Sequence, residues 1–230
     1  MVSDPVRSSG ATTPAFPAVA QPWILGLYGM AGATFIVAAH MAGWYGGPRS
    51  AWLLLPFAVV IGGVTQFLAG MWAYRAGDAL ATAMLGTWGS FWMADGLLYA
   101  VYATGRVTRP EGALPEIGFW FIALAAITWM GAVAASRTGT ALATVFVLLA
   151  AGSTVAIFAA GFGIEALTML AGWLFVIGAI CAWYTATAML FEEVFGREVL
   201  PMGRRTMLPE TSRSGPPASL REPATAHHTR

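Results

Sequence analysis

The sequence predicts an all-α membrane protein of six transmembrane helices, and three observations predict it. The hydrophobic fraction is 57% and the charged fraction 10%, where a water-soluble domain carries roughly 25% charged residues. That leaves too little polar surface to cover a globule in water. Six apolar segments follow one another, at about 23–45, 51–74, 80–103, 117–136, 139–161 and 166–190. Each is near the ~20 residues that cross a hydrocarbon core as a helix, the form in which one segment satisfies its own backbone hydrogen bonds in lipid. Most links between them are short, so sequence neighbours run antiparallel and side by side.

Residues 1–21, rich in Pro, Ala, Ser and Thr, read as a disordered tail. The first segment carries Gly26, Gly29 and Gly32, the second Gly62, Gly63 and Gly70, the third Gly86, Gly89 and Ser90. Small residues at such spacing let helix backbones approach, which is how helices associate in lipid. GGPRS at 46–50, RAGD at 75–78 and SRTG at 136–139 are tight links; Arg106 to Glu116 is longer, and GFGIEA at 161–166 is nearly neutral. Residues 22–203 thus form one six-helix domain, and 204–230 return to Pro, Ser, Thr and Arg as a second disordered tail.

Arginine supplies all 12 basic residues. With the N-terminus inside, Arg7, Arg75, Arg137, Arg197, Arg204 and Arg205 fall on the inner side, and Arg49, Arg106 and Arg109 on the outer. The excess predicts a multi-pass protein of the cell membrane with both termini cytoplasmic. Trp23, Trp44, Trp52, Tyr74 and Tyr102 lie near span ends, where interfacial aromatics belong.

Few polar groups lie inside the spans. Asp95 follows Trp88 and Trp92 and precedes Tyr99 at helical spacing, so all four share one stripe; Gly86, Gly89, Ser90 and Met93 form another. An ionised Asp95 facing lipid costs at least ~2.5–3.5 kcal/mol, so it belongs in a bundle interior or a permeation path. His40, the one histidine outside the tail, overlaps Asp95 in depth. The two are expected to couple, directly or through water, unless His40 is bonded to a backbone carbonyl. Gln66 and Thr128 either join helices or offer neutral hydrogen bonds to a substrate. Glu165, Glu192 and Glu193 sit near span ends and read as solvated, and Cys181 as a small buried hydrophobe. No cofactor or metal is implied. The chain lacks a clustered Cys/His set, a phosphate-binding Gly loop with GK[ST] and a buried carboxylate pair, which argues against an enzyme. A net charge of +1 implies no nucleic-acid partner.

GGVTQFLAGMWAYRAGDALATAMLGTWGSFWM at 62–93 closely resembles the hallmark region of the acetate uptake transporters, the family of the succinate–acetate permeases. The matching positions are Gly62, Gly63, Gln66, Ala69, Gly70, Tyr74, Gly77 and the block Trp88-Gly89-Ser90-Phe91-Trp92. QPWILGL at 21–27, with His40 and Gly43 downstream, is similar to the family's opening motif; FGREVLP at 195–201 is a third match. The resemblance implies a ring-like homo-hexamer in a lipid bilayer. Each protomer then holds one pathway for acetate, other short monocarboxylates and possibly succinate, usually with protons. It also implies an apolar pore constriction, carried over onto Met30, Trp88 and Leu149. Beside that ring, Gln66, Ser90, Thr128 and Trp92 would line the substrate pathway, and Asp95 and His40 are the proton-coupling candidates. The opening motif falls on Gln21, Pro22, Leu25, Gly26 and Leu27. Gln21 stands where the family has Asn, Trp23 where it has Ala and Ile24 where it has Pro. The ring is Met–Trp–Leu rather than Phe–Tyr–Leu, and Asp95 has no family counterpart. The alternatives are a passive anion channel of the same fold and a non-transport membrane sensor or scaffold.

Overall fold

The computed structural model describes residues 20–47, 50–108 and 112–204, the side chains of Ala51, Trp52 and Ala103 excepted. Most of the two predicted tails, Arg49, Arg109 and the side chain of Trp52 therefore lie outside the described residues. What is described is helical throughout: α1 (Pro22–Met41), α2 (Ser50–Phe57), a π-helical stretch (Ala58–Thr65), α3 (Gln66–Ala76), α4 (Ala79–Ala103), α5 (Pro115–Ala135), α6 (Thr140–Phe162) and α7 (Glu165–Phe195). Five stretches are long and apolar enough to cross a membrane: α1, the run Leu53–Ala76, α5, α6 and α7. α4 has 25 residues, more than any of them but α7, but Gly86, Thr87, Gly89, Ser90 and Asp95 dilute its apolar character.

Chain punctuation follows residue type. Pro22 opens α1 at its first turn, where a missing N–H costs nothing. Gly77, at φ +77°, ends α3 in the left-handed region, and the next residue, Asp78, starts α4 by accepting from Ala81 N at 2.9 Å. Two ends differ from the expectation. α1 stops at Met41 rather than near 45, because Gly43 turns the chain at φ +79°. α7 runs on past 190 through Glu192 and Glu193 to Phe195, stopping only at left-handed Gly196.

The second span is not a plain α-helix. Pro56 lies inside it and cannot donate to the helical ladder. Within two residues the register widens to the π form and stays so over 8 residues, where π-helices are mostly single-turn bulges. Thr65 Oγ1 donates to the Val60 carbonyl at 3.1 Å, tying off the last π turn.

Helix α1 sits centrally, between α7 on one side and the π stretch with α3 on the other; α5, α6 and α7 pack in sequence, and α4 lies on the π stretch and α3. The small-residue stripes are where these contacts close. A methyl placed on Gly70 would come within 2.8 Å of Gly86 N, one on Gly89 within 2.6 Å of Phe67 N, and one on Gly29 within 2.6 Å of the Ile61 carbonyl. Backbone meets backbone at these points, so van der Waals contact replaces the hydrophobic drive that lipid does not supply. The first and last turns of the helical domain lie at the same end of the bundle, where Gln21 and Met189 line one cavity.

Candidate functional site

At the end where α1 stops and α7 begins lies a cavity of about 510 Å³. Trp88, Trp92, Asp95 and Tyr99 all line it, so the stripe read from their spacing is one face of α4. His40 lines it too. Its Nδ1 donates to the Tyr45 carbonyl at 3.0 Å, and the Tyr45 ring lies 5.9 Å from the imidazole. The Tyr45 hydroxyl in turn donates to the Ile36 carbonyl, and partial burial pushes its phenol up from the ordinary value. The turn after α1 thus folds back and fixes the His40 ring. His40 and Asp95 share this cavity, with His40 held by a backbone carbonyl. Glu165, read as solvated, also lines it, because the first turn of α7 leans over its mouth.

Beneath this cavity the bundle closes. Met30, Trp88 and Leu149 are all buried. They lie 8, 9 and 9 residues into α1, α4 and α6, three helices that start at the same end, which places them at a common depth of about 12–14 Å. Trp88 Nε1 donates to Thr128 Oγ1 at 3.1 Å, and the Thr128 hydroxyl donates in turn to the Leu124 carbonyl at 2.6 Å. The Trp88 ring meets Phe175 edge-on at 6.3 Å. Gln66 is fully buried directly after the π stretch, with both amide atoms lacking a protein partner. Trp92 is also buried, its Nε1 without a partner. Ser90 departs from the expectation of a pathway residue. It stands on the exposed face of α4, outside both cavities, with its hydroxyl donated to the Gly86 carbonyl at 2.8 Å. The offset from the Trp88 stripe turns it away from the cavity face.

At the opposite end a smaller cavity, about 200 Å³, is lined by Gln21, Trp23, Asp78, Thr185, Met202 and Arg204 among others. The opening motif builds its rim. Gln21 holds the N-cap position of α1 without a side-chain cap bond and Pro22 begins the helix; Leu27 is fully buried, Gly26 packs against the Leu85 side chain, and Leu25 faces outward. Trp23 corrects its assignment as an interfacial aromatic. It is 6% exposed, its Nε1 donates to Asp78 Oδ2 at 2.7 Å, and its ring lies 6.0 Å from Phe146. The segment after α7 folds under this mouth. Thr140 N and Ala141 N donate to the carbonyls of Gly203 and Met202, Met202 is buried, and Arg204 pairs with Glu192 at 2.5 Å. Sequence reasoning passed over Thr34, Asp78, Thr185 and Met202. Only the N-cap signal of Asp78 beside Gly77 was legible in advance.

A helical bundle with five stretches able to cross a membrane and a cavity toward each end is a multi-pass membrane protein. The chain belongs to the GPR1/FUN34/yaaH family, whose profile matches residues 7–202. It is similar to the succinate-acetate/proton symporter SatP of Escherichia coli strain K12, 27% identical over 190 residues that cover 80% of this chain and 96% of that protein. It is also similar to ammonia transport outward protein 2 of Saccharomyces cerevisiae, 28% identical over 177 residues covering 74% of this chain and 61% of that protein. Among solved structures it matches that of the bacterial acetate channel SatP, with a TM-score of 0.75 and 25% identity over 81% of this chain and 100% of the other.

Proposed function

We propose that the chain carries acetate and related short-chain monocarboxylates, extending to succinate, across the cell membrane through one pathway per protomer. The observation that carries this reading is a cavity toward each end of the bundle, with Met30, Trp88 and Leu149 buried at a common depth along their helices. In this reading α4 is the sixth span, both termini are cytoplasmic, and protomers assemble as a hexamer. The likeness to SatP, named for acetate, succinate and protons, supports the substrate class.

The chemistry follows from the residues. A carboxylic acid must shed water to pass an apolar ring, and an unreplaced hydrogen bond costs several kcal/mol. Gln66 and Trp92, whose side-chain polar atoms have no protein partner, offer neutral hydrogen bonds in place of that water, Thr128 orients the Trp88 indole, and Met30, Trp88 and Leu149 exclude water and ions. Asp95 and His40 stand in the wider cavity as proton acceptors, so that transport runs with protons.

The test is purified protein in liposomes, given labelled acetate, succinate and ammonium with and without a pH gradient. Saturable acetate uptake that accumulates against its gradient when the pH gradient is imposed is the expected result. Downhill flux alone supports the passive-channel alternative, and no uptake of any carboxylate rejects the reading. Asp95→Asn is expected to alter the pH dependence of uptake; an unchanged profile removes Asp95 from coupling.

A further inference from the structure

FGREVLP at 195–201 takes no part in the Met30–Trp88–Leu149 ring. The chain leaves α7 at Gly196, left-handed at φ +66°, and runs without helical backbone to Gly203, left-handed again at φ +60°. Between these two glycines it lies across the end of the bundle. Leu200 packs against the core, and Met202, though in a non-helical segment, is 4% exposed. Met202 and Arg204 line the smaller cavity beside Trp23, Asp78 and Thr185.

The bonds that hold the segment are specific and replaceable. The first N–H groups of a helix have no partner within it, and Gly139, at the N-cap of α6, has no side chain to supply one. The segment supplies two: Thr140 N donates to the Gly203 carbonyl and Ala141 N to the Met202 carbonyl, each at 3.2 Å. The Tyr184 hydroxyl donates to the Pro201 carbonyl at 2.8 Å, Met202 N donates to Glu198 Oε1 at 3.1 Å, and Arg204 pairs with Glu192. The Tyr184 and Arg204 contacts are exposed, so water can take over their groups. Most of the remaining cavity wall belongs to helices or to the residues that cap them. The segment can leave without unwinding a helix, and it has a glycine at each end to absorb the turn.

We propose that residues 197–204 are a lid over the smaller cavity, closed in this structure, whose release opens that cavity to solvent. As a barrier to transport, in series with the apolar ring, the lid rests on the reading of the chain as a carboxylate carrier. Opening exposes the apolar side chains of Leu200 and Met202, which keeps the open form a minor one. It breaks only a few bonds, most of them to groups that water can satisfy, which makes it a local event that leaves the helical bundle intact. Met202 is the stopper, and Tyr184 and Arg204 are the latches.

The experiment places one thiol under the lid. Thr185 lines the cavity and is 1% exposed, and Cys181 is the one native cysteine, so the full chain carrying Cys181→Ala and Thr185→Cys is the parent. In detergent, its labelling by a water-soluble maleimide tracks the population of the open form. Tyr184→Phe, which loses one hydrogen bond, is expected to speed labelling roughly fivefold. Arg204→Gln, which loses an exposed ion pair, is expected to speed it roughly twofold, and the two together roughly tenfold. Met202→Ala withdraws the stopper and is expected to give the largest increase. Arg204→Gln alone carries the test if Tyr184→Phe fails to fold. In liposomes the Tyr184→Phe/Arg204→Gln variant is expected to take up labelled acetate faster than its parent, a gain that a merely structural contact does not give. Equal labelling in all variants overturns the lid. Faster labelling with acetate uptake unchanged or slowed overturns its role as a barrier to transport. Lid-dependent labelling with no carboxylate uptake by any of the proteins leaves the lid standing and rejects the carrier reading.

Discussion

The contact between Trp23 and Asp78 lends itself to a quantitative prediction. Asp78 Oδ2 accepts from the Trp23 indole at 2.7 Å, while Oδ1 caps α4 through Ala81 N at 2.9 Å. One carboxylate therefore pins the start of α1 to the start of α4 at the smaller cavity. Trp23→Phe keeps the packing against Phe146 but loses a hydrogen bond to a charged acceptor, worth about 1.5–3 kcal/mol when fully buried. Asp78 is only half-buried and can turn to water, so about 1.5 kcal/mol is expected. Asp78→Ala loses the same bond together with the cap, itself about 1 kcal/mol, and strands the indole N–H; about 2.5–4 kcal/mol is expected. If one bond accounts for the shared part, the double variant Trp23→Phe/Asp78→Ala costs less than the sum by about 1–2 kcal/mol. The assay is equilibrium unfolding in mixed detergent micelles as the denaturing fraction rises, with all four proteins on one reference scale. A coupling below about 0.3 kcal/mol, the range in which independent sites add, would refute the claim that the bond joins the two helices.

Other expectations follow from the packing. Leu149→Ala removes a fully buried side chain and is expected to cost about 2–5 kcal/mol in stability; if Leu149 belongs to the proposed constriction, the variant admits larger acids in liposome uptake, and unchanged size selectivity removes it from that role. Gly70→Ala places a methyl 2.8 Å from Gly86 N, against backbone that cannot swing aside, and is expected to destabilise by about 1–3 kcal/mol. Gly86→Ala meets only the Met71 methyl at 4.0 Å and is expected to be neutral, or stabilising by up to about 1 kcal/mol through helix propensity. The same unfolding titration compares the two, and equal effects contradict a backbone contact at Gly70 with open space at Gly86. Arg204→Gln breaks an ion pair whose side chains are 47% and 30% exposed. It is expected to shift stability by less than about 1 kcal/mol, and by less still at high salt.

The sequence by itself determined the class and much of the layout. Composition forced a lipid environment, because 10% charged residues cannot coat a globule in water. Helical spacing put Trp88, Trp92, Asp95 and Tyr99 on one face, and all four line one cavity. Glycine and small-residue runs marked the close helix contacts, and the GG-x-x-Q and GSFW blocks marked the family. Periodicity along one chain reports which residues share a face, and nothing more. The tertiary structure decided what each face meets. It turned Ser90 outward, drew Trp23 inward onto an aspartate 55 residues away, and brought Glu165 over the cavity that holds His40 and Asp95. It also set the π register behind Pro56, because one missing donor leaves several helical registers open and packing against α1 and α4 selects among them.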